Sequence, residues 1–492
     1  MSPRALVPIL VFLAVLPASA QEAGSPPPVA SSVQFTPGVV TERVSSVLER
    51  RQEYAVYLPS AYRADQRWPV LLLMDPRGRA MNPMALVKPA AERHGYLVLS
   101  SYNTLSDGPT QPNIDALAAM LTDAQRLFSV DPSRFYLVGF SGTARLAWDL
   151  GFGMRGHVAG VLGWGAGTPP GFDFTPAGTT GTVPFAYYGG CGIRDFNYEE
   201  MLTLDDELDR RAVPHRLQYY DGPHSWPPAP VMTDAIDWMQ VQAIKRGLAP
   251  PDSAWVDSLF ATDLARAREL EAAGQFYAAL RRYRAIVAEF DGLRDVSWPS
   301  TRARELVGGR AVRQAAHQLR SIIERNHAYL RTLAQFLRKF HLASTPPRLE
   351  QSLKVLRVAE LLRQQADTAD SVEALAARRL LSHVVAYSSF YEPRDLLEQR
   401  DPVRALAMLA IADAVRPRMS GVCYYRARAL AMLGRNEEAV QAVECWARAA
   451  GPAADSVAAD PDLAALRDVP QFQALLDRLR EEQGRRDNRD PS

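Results

Sequence analysis

The sequence predicts an α/β domain with a mostly parallel sheet flanked by helices, followed by an all-α helical-repeat domain. Three observations predict this fold class. Apolar, strand-like runs alternate with helix-like stretches from residue 33 to 245, which is typical of a parallel sheet covered by helices. Strand signals almost vanish beyond residue 252, where amphipathic helices follow one another. The chain of 492 residues also exceeds the roughly 250–300 residues that one hydrophobic core spans.

Each element of the first domain is predicted from a run of residues with a strand-like or a helix-like pattern. Strand-like runs cover 53–58, 68–74, 96–101, 135–140, 158–164, 184–188 and 216–220. Several are continuously apolar, as strands buried on both faces of a parallel sheet are. Helix-like stretches cover 85–94, 113–128, 143–151, 198–211 and 231–244. We therefore expect the α/β domain to span 33–245.

The start of the chain predicts a signal peptide over residues 1–20. Arg4 precedes an apolar stretch over 5–16, and small residues at 18–20 offer a cleavage site. The alternative is an uncleaved anchor, but the apolar stretch is shorter than the ~20 residues of a spanning helix. We expect a periplasmic or secreted protein with no membrane span after cleavage. Residues 21–32, rich in Pro, Ala and Ser, predict a flexible lead-in.

The overall charge argues against nucleic acid as a partner. Lysines and arginines number 56 and acidic residues 55, so the formal net charge is +1. Such a balance gives no strong field toward nucleic acid or anionic membranes.

The second half is predicted to be helical. Residues 246–252 form a candidate linker, helices fill 253–482, and 483–492 form a polar disordered tail. A pattern of helix, glycine turn and helix occurs around Gly274 and again around Gly434, with a small residue, Ala279 or Ala439, five positions later. It resembles the tetratricopeptide repeat, in which small residues let two antiparallel helices approach closely. A non-repeating helical bundle is the alternative.

Two of the three cysteines have a spacing that suggests a bridge. Cys423 and Cys445 lie eleven residues on either side of Gly434, so they come level in a helical hairpin that turns there. We expect a disulfide between its two helices, with two buried free thiols as the alternative.

A serine at the turn after the fourth strand-like run carries the candidate chemistry. The segment Gly139-Phe140-Ser141-Gly142-Thr143 joins an apolar strand to a helix. Such a turn exposes the serine hydroxyl as a nucleophile and directs the next N–H, that of Gly142, toward an oxyanion. Thr143 departs from the glycine that usually ends this motif.

The serine needs a base and an acid, and candidates follow in the required order. His224 lies in a turn just after the last strand-like run, and Asp195 follows the run that precedes it. Glu199 or Asp173 could be the acid instead. The alternative for His224 is a turn residue hydrogen-bonded to the backbone.

The loop after the second strand-like run should supply the second oxyanion donor. It reads Asp75-Pro76-Arg77-Gly78-Arg79, and Pro76 has no N–H, so Arg77 is expected to donate, with Gly78 as the alternative. The guanidinium groups of this loop could also meet an anionic substrate group or be solvated. Residues with a predicted role in substrate binding are Arg79, Tyr102, Asn103 and Trp226.

These residues together resemble the α/β-hydrolase family, most closely its small secreted esterases of the feruloyl esterase and polyhydroxyalkanoate depolymerase type. The resemblance covers about 53–239 and rests on the Ser141 turn, Asp195 and the Gly-Pro-His224 turn. It implies a serine nucleophile, an acyl-enzyme, an ester substrate, small or polymeric, and no metal. The sequence has no phosphate-binding loop and no nucleotide-binding glycine motif, so we expect no cofactor. Two alternatives stay open: a non-catalytic scaffold that binds a protein partner through its helical repeats, and a serine peptidase of the same fold.

Overall fold

The computed structural model describes residues 34–175, 183–366 and 371–487. The predicted signal peptide and the whole of the predicted lead-in lie outside these residues. The chain forms two compact units, Met1–His317 and Gln318–Ser492, and each is described by itself below.

An eight-stranded sheet forms the centre of the first unit as far as it is described. Its strands are β1 Val40–Ser45, β2 Glu53–Tyr57, β3 Trp68–Met74, β4 Leu97–Ser101, β5 Val130–Phe140, β6 Val158–Trp164, β7 Ala186–Gly192 and β8 His215–Tyr220. Their order is β1-β2-β4-β3-β5-β6-β7-β8. β1 pairs with β2 and β2 with β4 in antiparallel fashion, and all later neighbours are parallel.

Helices cover both faces of this sheet. They are α1 Met81–His94, α2 Gln111–Leu127, α3 Gly142–Gly153, α4 Tyr198–Arg210 and α5 Ala229–Lys245. Every residue of β3 and β6 is buried, because side chains on alternate sides enter two separate apolar cores: Leu72 and Val161 lie in one, Leu71 and Leu162 in the other. The fold class predicted for this domain, a mostly parallel sheet flanked by helices, is thereby confirmed.

Several elements differ in extent from the sequence-based expectation, and two of the differences have a clear physical reason. β1 was not predicted, because its polar residues hide the strand pattern. β7 runs on to Gly192, although the glycines from 189 onward favour a turn. A Cβ on Gly190 would lie 1.8 Å from the carbonyl oxygen of Gln218 on β8, so glycine here permits close pairing of two strands.

The described part of the first unit also includes the helices α6 Ser253–Ala272, α7 Phe276–Phe290 and α8 Ser297–Val307. Residues 246–252, the predicted linker, connect α5 to α6, while the two compact units divide at His317. α6 and α7 form a hairpin that turns at Gly274, whose φ is +74°. The hairpin packs on its own apolar cluster, which includes Leu280 and Phe290.

Helices make up the second unit as far as it is described. They are α9 Arg310–Leu342 (which begins in the first unit), α10 Leu349–Val355, α11 Val358–Gln365, α12 Val372–Ala386, a π-helical turn Tyr387–Tyr391, α13 Glu392–Glu398, α14 Pro402–Val415, α15 Ser420–Met432, α16 Asn436–Ala450, α17 Ala454–Ala459, a 3-10 turn Pro461–Leu466, and α18 Pro470–Asp487. α18 extends into the tail predicted from residue 483, and an Arg485–Glu481 pair at 3.5 Å supports its last turns.

The two similar segments form hairpins with the same turn. Gln275 N donates to Leu270 O at 2.9 Å in the first, and Arg435 N donates to Leu430 O at 3.0 Å in the second. Their identity as tetratricopeptide repeats stays a prediction. Cys423 on α15 and Cys445 on α16 form a disulfide with their Cα atoms 5.7 Å apart. Among the described helices, none has the length and apolar character needed to cross a membrane.

Candidate active site

A strained turn presents Ser141 at the carboxyl end of β5. Ser141 has φ 55° and ψ −124°, a backbone conformation that non-glycine residues rarely adopt. Its N–H donates to Trp164 O at 2.7 Å. A Cβ on Gly142 would lie 2.4 Å from the Ser106 Cβ, so glycine after the serine is required for the close packing of the turn.

Thr143 takes part in the turn through its hydroxyl. Thr143 Oγ1 lies 2.6 Å from Met74 O and 2.9 Å from Phe140 O, two carbonyls to which it can donate, and it accepts from Phe140 N at 3.0 Å. The side chain is fully buried. The threonine therefore connects the ends of β3 and β5 directly behind Ser141.

The structure brings together Ser141, His224 and Asp195, with the histidine between the other two side chains. His224 Nε2 lies 3.0 Å from Ser141 Oγ, and His224 Nδ1 lies 2.8 Å from Asp195 Oδ2. Asp195 is fully buried, whereas 23% of the His224 side chain is exposed. With its proton on Nδ1, the imidazole donates to the carboxylate and keeps Nε2 free to accept from the serine hydroxyl.

Two loops at the same edge of the sheet hold the acid and the base. Arg194 N donates to Gly222 O at 3.0 Å, and Ile193 N donates to Tyr220 O at 2.8 Å, so the loop after β7 is bonded to the loop after β8. The second oxygen of Asp195 accepts from Asn197 N at 2.8 Å. The carboxylate therefore faces the imidazole in a fixed direction.

Aromatic rings contact the imidazole. The ring centroid of Phe140 lies 4.7 Å and that of Phe196 4.4 Å from the centroid of His224. Trp226 in turn lies 5.4 Å from Phe140. Such packing restricts rotation of the histidine ring away from Ser141.

The other two candidate acids have different surroundings. Asp173 accepts hydrogen bonds from the N–H and hydroxyl of Thr175 at 2.7 and 3.0 Å. Glu199 is buried in the first turn of α4. Of the three candidates, Asp195 is the one that the structure places on the imidazole.

The predicted oxyanion donors differ in their availability. Gly142 is the first residue of α3, so its N–H has no acceptor within the helix. Arg77 N donates at 2.8 Å to Oδ1 of Asp75, two residues earlier, and Gly78 N donates to Asp75 O at 3.2 Å. Neither donor expected from this loop is free in this conformation, because the loop satisfies its own N–H groups.

The four residues with a predicted role in substrate binding use their polar groups within the fold. Arg79 pairs with the Asp75 carboxylate through Nε and Nη2, both at 3.1 Å, and Trp226 Nε1 donates to the same carboxylate at 2.9 Å. Tyr102 Oη donates to Glu42 O at 2.9 Å, and the Asn103 amide bonds to the backbone of 51 and 53. Sequence reasoning missed Asp75, because its importance depends on contacts with a distant loop.

The arrangement has the parts of nucleophilic acyl transfer. A hydroxyl faces an imidazole nitrogen, a buried carboxylate orients the ring, and an N–H at a helix N-terminus lies next to the nucleophile. Within the described ranges, no group of three or more His, Cys, Asp or Glu side chains could hold a metal ion.

Solved structures that resemble the chain include several hydrolases. FphF, the fluorophosphonate-binding serine hydrolase F of Staphylococcus aureus, is 17% identical with a TM-score of 0.33 over 41% of this chain and 98% of its own. S-formylglutathione hydrolase from Staphylococcus aureus is 15% identical with a TM-score of 0.33 over 42% and 99%. The feruloyl esterase module from Clostridium thermocellum is 12% identical with a TM-score of 0.33 over 40% and 86%. A scan against protein-family models and a search of curated proteins found no match.

Proposed function

We propose that the protein is a serine hydrolase that cleaves carboxylic esters through Ser141, His224 and Asp195. The observation that carries this proposal is the pair of hydrogen bonds, at 3.0 and 2.8 Å, that joins the three side chains. A serine hydroxyl becomes an effective nucleophile when a base takes its proton and an acid orients that base.

In the first half-reaction, Ser141 Oγ attacks the carbonyl carbon of the ester while His224 Nε2 accepts the hydroxyl proton. Asp195 stabilises the imidazolium that forms. The tetrahedral intermediate carries its negative charge on the former carbonyl oxygen, toward which Gly142 N–H donates. When the bond to the alkoxy oxygen breaks, His224 transfers its proton to the departing alcohol and the acyl group stays on Ser141.

In the second half-reaction, water attacks the acyl-enzyme. His224 Nε2 takes a proton from the water, and a second tetrahedral intermediate forms. Its collapse breaks the bond to Ser141 Oγ, His224 returns the proton to the serine, and the carboxylic acid leaves. No redox partner or metal enters this balance.

The proposal includes export to the periplasm or the exterior. Two features support it: the signal-like residues 1–20 and the Cys423–Cys445 disulfide, since disulfides persist in oxidising compartments. We further propose that the helical second unit binds a protein partner, because stacked helical hairpins offer extended binding surfaces.

Covalent labelling with a fluorophosphonate probe tests the proposed activity. We expect the folded protein to be labelled at Ser141, Ser141→Ala to lose labelling, and Ser129→Ala, a matched change elsewhere in the unit, to keep it. p-Nitrophenyl acetate should be hydrolysed in preference to peptide anilides, which separates an esterase from a peptidase. Labelling that persists in Ser141→Ala would rule out the assigned nucleophile.

A further inference from the structure

The carboxylate of Asp75 is a buried charge with an unusually full set of donors. It is fully buried and accepts from Arg77 N at 2.8 Å, Arg79 N at 3.2 Å, the Arg79 guanidinium at 3.1 Å and Trp226 Nε1 at 2.9 Å. Burial alone raises the pKa of Asp75, but these hydrogen bonds outweigh it and hold the pKa below its ordinary value. The group is therefore a fixed anion.

Its position after β3 brings this anion to the same edge of the sheet as the proposed nucleophile. Asp75 directly follows β3, whose last residue, Met74, pairs with Gly139 at the end of β5. The backbone around Asp75 is fixed as well, since Thr104 Oγ1 donates to Asp75 O at 2.9 Å and Thr143 Oγ1 to Met74 O at 2.6 Å. The backbone that carries Asp75 is thus hydrogen-bonded, through Thr143, to the turn that carries Ser141.

The indole that donates to Asp75 belongs to the loop that carries the proposed base. Trp226 lies two residues after His224, and 151 positions separate it from Asp75. The Trp226 ring packs on Phe140, which packs on the imidazole. The hydrogen bond to Asp75 fixes the indole, and the indole holds Phe140 against one face of His224.

We propose that Asp75 is a positioning residue, whose carboxylate joins the loop after β3 to the His224 loop through Trp226 and so keeps the imidazole aligned with Ser141. The proposal rests on the proposed esterase function. Asp75 does not touch the reacting atoms. It acts through Trp226. Its loss should lower turnover and leave substrate affinity nearly unchanged.

The test compares Asp75→Asn, Trp226→Phe and the double variant in the full chain. Asparagine keeps the shape but offers an amide N–H₂ where Trp226 and Arg79 need an acceptor. We expect kcat per labelled Ser141 to fall about 10- to 100-fold in Asp75→Asn, because small misplacements of catalytic groups cost this much. KM should stay within a few-fold, and the double variant should be no slower than the slower single variant.

A matched control separates positioning from folding. Asp123 is also fully buried and accepts from Tyr54 Oη at 2.7 Å, and Asp123→Asn should change the unfolding midpoint with kcat per labelled site unchanged. If Asp75→Asn does not fold, Trp226→Phe, which removes the donor and keeps an aromatic ring at this position, still tests the contact by its own kcat.

The outcomes distinguish this inference from the proposed function. Normal labelling of Ser141 with an unchanged kcat per labelled site in Trp226→Phe and Asp75→Asn would overturn the positioning role alone. Effects that multiply in the double variant would do the same, because they would show that the two side chains act separately. A wild-type protein that is neither labelled nor active on esters would overturn the proposed function and this inference with it.

Discussion

Thr143 replaces a glycine at the end of the serine turn, yet its hydroxyl supports that turn. A β-branched residue should crowd the contact between strand and helix. Instead, Thr143 Oγ1 lies within hydrogen-bond distance of Met74 O and of both backbone polar groups of Phe140. The side chain therefore supplies a bond between two strands that glycine could not make.

Restoring glycine should accordingly weaken the protein. In Thr143→Gly, buried backbone groups lose their partner, which costs about 1–3 kcal/mol, and the added backbone freedom costs about 1 kcal/mol more. We expect a lower free energy of unfolding in urea denaturation and slower ester hydrolysis. Thr143→Ser keeps the hydroxyl and should lose less. A Thr143→Gly protein that is as stable as the wild type would contradict this account.

The two arginines of the loop after β3 have different roles. Arg79 is bound by the buried Asp75, whereas the Arg77 side chain is exposed and forms no ion pair with the residues that the structure describes. Since a side-chain change leaves the Arg77 N–H in place, Arg77→Gln isolates the effect of the guanidinium. We expect it to raise KM for esters that carry a carboxylate by about two- to fivefold, the range of an exposed ion pair.

Steady-state kinetics on a charged and a neutral ester check this prediction. KM for the neutral ester should not change in Arg77→Gln. Arg79→Gln is the comparison variant and should instead lower stability, because it leaves the Asp75 carboxylate with fewer donors. Equal effects of Arg77→Gln on the two esters would argue against recognition of an anion.

Among single residues, the sequence indicated the proposed nucleophile and base but not the contacts of Asp75. Ser141 and His224 could be predicted from local signals, namely a serine between strand and helix and a histidine after the last strand. The hydrogen bond from the Arg77 N–H to the Asp75 carboxylate depends on the rotamer of Asp75, which the sequence does not reveal. The contact between Asp75 and Trp226 spans 151 positions, and no local pattern reports such a pairing.

At the scale of elements, a buried ionic cluster attaches the α6–α7 hairpin to the edge strand β8. Arg216 on β8 donates to Asp263 on α6 at 3.0 Å and to Glu289 on α7 at 2.8 Å. All three side chains are at least nine-tenths buried. Arg282 also binds Asp263. These side-chain contacts fix the position of the hairpin relative to β8.

The cluster should make stability depend on pH through Glu289. Burial, together with the charge of Asp263, outweighs the attraction of Arg216 and Arg282 and raises the pKa of Glu289 to about 7 from its ordinary value near 4.5. The folded protein therefore holds this proton more tightly than the unfolded chain. The stabilisation is complete below pH 4.5 and is lost as the pH rises through about 7.

We expect Glu289→Gln to remove this part of the pH dependence. Urea denaturation at pH 5 and pH 8 should show the wild type losing about 1–3 kcal/mol relative to the variant as the pH rises. Glu269→Gln, a change at an exposed glutamate of α6, is the matched control and should parallel the wild type. Parallel curves for Glu289→Gln would count against a raised pKa.

The elements themselves were largely predictable, with failures where packing overrides local pattern. Continuously apolar runs identified the central strands. β1 was not predicted because an edge strand with polar residues lacks that pattern. The glycines of β7 indicate a turn from sequence alone, and only the close approach of β8 explains why they lie in a strand.

At the scale of the whole chain, the first compact unit includes helices that composition assigns to the second half. Besides the ionic cluster, Trp255 on α6 lies 4.9 Å from His94 on α1, ring centroid to ring centroid. Ile244 at the end of α5 packs against the same apolar cluster as Leu280 and Phe290. The hairpin thus stabilises the strand that leads into the His224 loop.

Two truncated chains, one with and one without the α6–α7 hairpin, should therefore differ in stability. A chain ending at His317 keeps the hairpin and should unfold cooperatively, label with a fluorophosphonate and hydrolyse p-nitrophenyl acetate at a rate near that of the full chain. A chain ending at Asp252 removes both acidic partners of Arg216 and the apolar cluster against which Ile244, at the end of α5, packs. We expect its thermal midpoint to fall by more than about 8 °C, since several kcal/mol of burial and ion pairing are lost. Circular dichroism melting and labelling yield measure the difference, and equal midpoints and equal labelling for the two chains would show that the hairpin is dispensable.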